Sequence, residues 1–246
     1  MIILFRTVAL YAILGASLLN ASPRISAFIA VDARGDYKIS GKPNIQLIQN
    51  TLKLISLGAG LDLDMVQAGK RPLDTAISSW AKKLKKSDIA IFYFSGRGYR
   101  LSSTDGPWPI LSLKGTRSTF DANALVSLIK KIKPRLGLIL LDCGNNNIDL
   151  FSKSESLRSR LQLAKKSIYK GIEKLFKQSK GLIVASATLP GNFSLLSNQG
   201  SYFTLAFIHT LFQLAKKRKT SWDEVMLKTK NLYNNIQTAQ YEVILK

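Results

Sequence analysis

The 246-residue chain contains one cysteine, Cys143, and one histidine, His209. Together these residue types do nucleophilic chemistry: an imidazole takes the thiol proton, the thiolate attacks, and the imidazolium protonates the leaving group. Only Cys143 with His209 could form such a pair here. A lone cysteine rules out a disulfide within the chain. A zinc site built on Cys and His would lack its ligands. No metal or other cofactor is therefore expected. Two short segments stand out by their surroundings. Ser95-Gly96-Arg97-Gly98 follows the apolar run of residues 89–94, and Asp142-Cys143-Gly144 follows that of residues 136–141.

Those segments need elements to position them. Apolar runs at residues 25–31, 63–66, 88–95, 136–141 and 181–187 predict strands, with a last edge strand at 242–245. Apolar residues at helical spacing predict a helix over 44–55. A second helix, 72–86, has Pro72 in its first turn and Lys82, Lys83, Lys85 and Lys86 in its last. A long loop is expected from there to about Thr119, after the strand that ends at Ser95. Helix 121–132 would be capped by Thr119 or Asp121. Residues 145–147 open a polar loop. Further helices are expected at 155–179, 201–216 and 222–234. Buried strands alternating with amphipathic helices imply an α/β fold with a mainly parallel sheet of about six strands. Ligands of such sheets sit at the C-terminal strand ends, which points to the loops after Ser95 and Asp142.

Those loops carry a resemblance. The segment from Asp88 to Gly98 is similar to the strand and loop of caspases, paracaspases and metacaspases, which ends Ser-Gly-His-Gly with a catalytic His. Leu138-Ile-Leu-Leu-Asp142-Cys143-Gly144 resembles the later strand that ends in Asp, a small residue and the nucleophilic Cys. Residues 182–187, Gly200-Ser201-Tyr202-Phe203-Thr204 and Gln237-Thr238-Ala239-Gln240 resemble further family elements in the same order. The resemblance covers about residues 25–241. It implies a three-layer α/β/α caspase-like (caspase-hemoglobinase) fold, and cysteine endopeptidase activity for intact members.

The departures fall on the chemistry. Arg97 stands at the histidine position, and Gly144 at the cysteine position. Arginine stays charged and takes no proton, and glycine has no nucleophile. The resemblance therefore implies a pseudo-peptidase with a cleft built from Ser95, Gly96, Gly98, Arg100 and Asp142. Cys143 lies one residue early. Alternation along a strand turns it toward the core, as a small buried hydrophobe. The alternative is a sharp turn at Gly144 that makes Cys143 a displaced nucleophile, its thiolate favoured by Arg97. Arg97 and Arg100 suit an acidic peptide or protein ligand. The plainer reading has Arg97 filling space and pairing with Asp142.

Thirty-six Lys and Arg against fifteen Asp and Glu give a net charge of +21. Such a surface attracts anions. The basic helix at 155–179 is either a solvated face or an anion-binding surface, with Lys165, Lys166 and Lys170 as candidates for contact with an anionic envelope polymer. No specific nucleic-acid signature is present. Arg6 followed by an apolar run to Leu19, then Leu19-Asn20-Ala21, reads as a signal peptide over residues 1–21, with residues 22–246 as the exported domain. The alternative is an uncleaved N-terminal membrane anchor. The resemblance also raises a homodimer paired through the last strand.

Overall fold

The computed structural model describes residues 23–114, 118–147, 168–217, 219–233 and 235–246. The segments expected to be the signal peptide and most of the basic helix lie outside these residues. In chain order the elements are β1 (Arg24–Val31), α1 (Lys38–Ala59), β2 (Asp62–Gln67), α2 (Leu73–Ala81), β3 (Ile89–Arg100), β4 (Ile110–Ser112), β5 (Thr119–Asp121) and α3 (Ala122–Ile132). They continue with β6 (Leu136–Cys143), β7 (Asn146–Asn147) and α4 (Ile168–Glu173), which runs on as a π-helical turn at Lys174–Gln178. The last are β8 (Gly181–Ser186), β9 (Leu196–Ser197), β10 (Gly200–Ser201), α5 (Tyr202–Ala215), α6 (Trp222–Leu232) and β11 (Gln240–Leu245).

The main sheet has the order β11-β8-β6-β3-β1-β2. All neighbours are parallel except β11, which pairs antiparallel with β8. Alternate side chains leave a strand on opposite faces, so each central strand feeds two cores. On one face Ile25, Ile29, Ile91, Leu138 and Ile183 pack with α1, α4, α5 and α6. On the other, Phe28, Phe92, Phe94, Ile139 and Val184 pack with α2 and α3. The central strands are apolar along their whole length because both faces are covered. The result is the expected three-layer α/β/α fold, with six strands in the central sheet.

Local expectations needed correction where boundaries depend on tertiary contacts. Helix α1 begins at Lys38 and carries Pro43 inside it. It passes so close to the end of β1 that a Cβ at Gly41 would sit 2.4 Å from the Asp32 carbonyl oxygen. Helix α2 stops at Ala81, so Lys82, Lys83, Lys85 and Lys86 lie beyond its end, and Pro72 precedes it as N-cap. The long loop expected after Ser95 is interrupted by strand: β3 continues to Arg100 and forms an antiparallel ladder with β4, which pairs with β5, while residues 101–109 remain loop. Two of the three residues expected to open a polar loop form β7, paired with β3. Asp121 caps α3, its side chain accepting from Asn123 N. Among the described residues, no helix is long and apolar enough to cross a membrane.

Candidate functional site

The two segments singled out by their spacing lie side by side. In the parallel β3–β6 ladder Ser95 is opposite Asp142, and Gly96 is opposite Cys143. Pleating then sends Asp142 to one face of the sheet and Cys143 to the other.

Asp142 is fully buried. Its carboxylate accepts hydrogen bonds from Ser201 Oγ and Thr204 Oγ1, with Ser194 Oγ at 3.4 Å and Tyr93 OH at 3.5 Å. Tyr93 OH is also 2.6 Å from Thr204 Oγ1. Asn44 Nδ2 donates to Ser95 Oγ at 2.8 Å and to Ser201 Oγ at 2.9 Å, and Asn44 Oδ1 accepts from Ser201 N. The network thus ties α1, β3, β6, the loop before β9 and the start of α5 together beneath the strand ends. Burial raises the Asp142 carboxyl to about 6, although the hydroxyls around it favour the charged form. The same burial, with Asp142 adding, holds the Tyr93 phenol well above its usual range.

Cys143 is also fully buried, but within the apolar cluster of Phe92, Phe94, Leu141 and Val184. Burial first, and Asp142 second, push its thiol well above the usual range. The turn that would have swung its sulfur outward is not formed: β6 continues through Cys143. Gly98 lets the strands approach, since a Cβ there would lie 2.2 Å from the Gly144 carbonyl oxygen and 2.5 Å from Cys143 Sγ. Gly144 is roomier. A Cβ there would meet Asn146 Oδ1 at 2.9 Å, the far end of a side chain, then the carbonyl oxygens of Gly98 at 3.4 Å and Asn192 at 3.6 Å.

Arg97 is exposed, with its guanidinium 5.9 Å from the centre of the Tyr99 ring. The reading in which it pairs with Asp142 is not realised; that carboxylate is taken by the hydroxyls of Ser201 and Thr204. Arg97 instead borders a cavity of about 210 Å³ with Asp32, Arg34, Tyr37 and Lys114. The Asp32 carboxylate there accepts from Arg34 N and Lys114 N, and the Tyr37 phenol is raised chiefly by burial, then by Cys143, with Arg97 opposing. Arg100 is partly buried, and its Nη1 has no hydrogen-bond partner among the described residues. Its Nη2 donates to the carbonyls of Thr104 and Gly106, clamping the loop between β3 and β4.

His209 is exposed on α5, the helix that packs on the face opposite Cys143. The structure does not bring the lone cysteine and lone histidine together. Lys170 is exposed on α4, whereas Lys165 and Lys166 lie outside the described residues. Among the described residues, no cluster of His, Cys, Asp or Glu could hold a metal ion. Asn44, Tyr93, Ser194 and Tyr37 were missed by sequence reasoning. Ser201 and Thr204 were visible only as a pattern at a helix start, with no sign that they face Asp142.

A family model described as the caspase domain matches residues 45–244. Among solved structures, caspase-1 from Spodoptera frugiperda is similar at 15% identity and a TM-score of 0.55, covering 91% of this chain and 87% of that one. A protein from Geobacter sulfurreducens is similar at 15% identity and a TM-score of 0.55, covering 89% and 93%. At these identities the structural likeness speaks for the fold. A search of curated proteins finds no match.

Proposed function

This chain belongs to the caspase-domain family, and we propose that it is a non-catalytic member, which holds a peptide or protein segment at its strand-end cleft without cutting it. The observation that carries this reading is the placement of Cys143. The only thiol in the chain is buried in an apolar core, with its acidity suppressed. By the sequence resemblance, Arg97 and Gly144 stand at the family's two catalytic positions, and they can neither exchange a proton near neutrality nor attack. Arg97, Arg34 and Lys114 outnumber Asp32 and Asp36 in the lining of the cavity, and the remaining positive charge favours an acidic segment. In the same reading, residues 1–21 direct the domain out of the cytoplasm.

The test uses the purified protein on a proteome-derived peptide library, beside Cys143→Ala and the double variant Arg97→His/Gly144→Cys. No cleavage by the wild type or Cys143→Ala is expected, and acidic peptides should be retained by both. Thiol alkylation should be slow in the wild type and faster in the double variant, whose new thiol needs only a shift of the Asn146 side chain to be accommodated at position 144. Wild-type cleavage that disappears in Cys143→Ala would overturn the reading and make Cys143 a nucleophile.

A further inference from the structure

At the end of the sheet away from the candidate site, the starts of β6 and β8 meet the end of β11. Leu136 lies opposite Gly181, and Gly181 opposite Leu245. A cavity of about 350 Å³ opens there, a size typical of small-molecule sites. Its floor is apolar, formed by Ile129, Leu182 and Ile244. Its rim is cationic: Lys130, Lys133, Arg135, Lys180 and Lys246 all line it, and among the described residues no Asp or Glu side chain does. Outside the lining, Glu242 stands 4.0 Å from Lys130, with both groups half exposed.

The convergence of these cations is built into the backbone. Gly181 N donates to Arg135 O at 2.9 Å, and Lys246 N donates to Lys180 O at 3.0 Å. Three strand termini are thereby locked with their basic residues around one opening. Arg135 is held further by its Nη2, which donates to Lys177 O, while its Nε is buried with no partner among the described residues. Cations alone would suit any anion, and an apolar floor alone would suit a neutral ligand. Their combination selects one chemistry. Like charges gathered at one opening repel each other, and an anion placed among them relieves that repulsion while its apolar part displaces water from the floor.

We propose that this cavity is a second binding site, for an amphiphilic anion: an alkyl chain on the Ile129–Leu182–Ile244 floor and a carboxylate or phosphate head among the rim cations. The site is independent of the cleft and of whether the cleft is catalytic. Calorimetry would compare decanoate and decyl phosphate with inorganic phosphate and the uncharged decyl maltoside. Both decyl anions should bind one-to-one, at least about tenfold more tightly than either control. Lys180→Glu/Lys246→Glu should weaken decyl phosphate by about tenfold or more. The charge-matched pair Lys82→Glu/Lys86→Glu, outside the cavity, should leave binding unchanged. Ile244→Asp, on an exposed edge position, should weaken the decyl anions and leave the fold intact by circular dichroism. Equal binding of inorganic phosphate or of decyl maltoside would overturn the proposal, as would equal losses in the two charge-reversal pairs. Vesicles of phosphatidylglycerol separate the sources: capture that the Lys180/Lys246 pair abolishes assigns the head group to a lipid, and decyl-anion binding without capture assigns it to a free amphiphile.

Discussion

Asp142 and Cys143 are neighbours on one strand, and the sheet sends them to opposite faces. On one side a carboxylate meets the hydroxyls of Ser201, Thr204, Ser194 and Tyr93. On the other a thiol lies among aromatic and aliphatic side chains, close enough to the Tyr37 phenol to act on it electrostatically. Both groups are fully buried, and burial raises both pKa values. The consequences differ because the carboxylate has donors to satisfy it and the thiol needs none. One face is therefore a polar brace that fixes the strand ends. The other is hydrophobic packing in which a sulfur atom happens to serve as a small apolar side chain.

The sharpest way to break this contrast is Asp142→Ala. Several buried hydroxyls would lose their acceptor, at about 1–3 kcal/mol for each left unsatisfied. Rearrangement among Tyr93, Thr204 and Asn44 recovers part of this, leaving an expected loss of about 4 kcal/mol, read from the urea midpoint. A loss below about 1 kcal/mol, the scale of a typical surface change, would show that the brace carries no stability.

The pH dependence of stability comes next in size. The folded carboxyl titrates at about 6, above the value near 3.9 of an unfolded aspartate. Between those values the native state keeps a proton that the unfolded chain has released. Stability contributed by Asp142 therefore falls as pH rises from about 4 to about 6 and is level above that. The full change is on the order of 3 kcal/mol. Urea midpoints of the wild type and Asp142→Asn across this window should show the slope in the wild type and lose it in the variant. Parallel curves would place the titration elsewhere.

The smallest effect lies on the Cys143 face. Cys143→Ala should cost about 1 kcal/mol by removing a buried atom. Cys143→Ser is nearly the same shape as the wild type, yet it should be less stable than Cys143→Ala by about 1 kcal/mol, because its hydroxyl enters an apolar cluster. A serine variant as stable as the wild type would show that its hydroxyl pairs on this face, with the Tyr37 phenol as the nearest candidate, and would remove the contrast. Thermal midpoints of the three proteins decide it.

Much of this architecture was legible from periodicity. The strands at 25–31, 136–141 and 181–187 announce themselves by continuous apolar runs, since each is covered on both faces. Alternation along β6 was also enough to expect Cys143 in the core. The extension of β3 past Ser95 was hidden, because Gly96, Gly98 and Arg97 read as loop residues. They form strand because β4 supplies a hydrogen-bonding partner, and Gly98 because β6 approaches too closely for a Cβ. Arg100 looked like a ligand-facing cation by nearness in sequence, yet its guanidinium is turned onto the carbonyls of its own loop.

The sequence by itself determined the order of strands and helices, the absence of a second cysteine or histidine, and the strong basic charge. Those are properties of composition and of short-range spacing, which every residue carries with it into any fold. The tertiary structure alone decided who faces Asp142. Asn44, Tyr93, Ser194, Ser201 and Thr204 are scattered over some 160 residues, and no local pattern links them. It also decided that five cations, from the end of α3 and the residues that flank β6, β8 and β11, ring one apolar cavity. Such groupings arise when parallel strands bring distant termini to one edge of a sheet, and that pairing is fixed by long-range backbone hydrogen bonds.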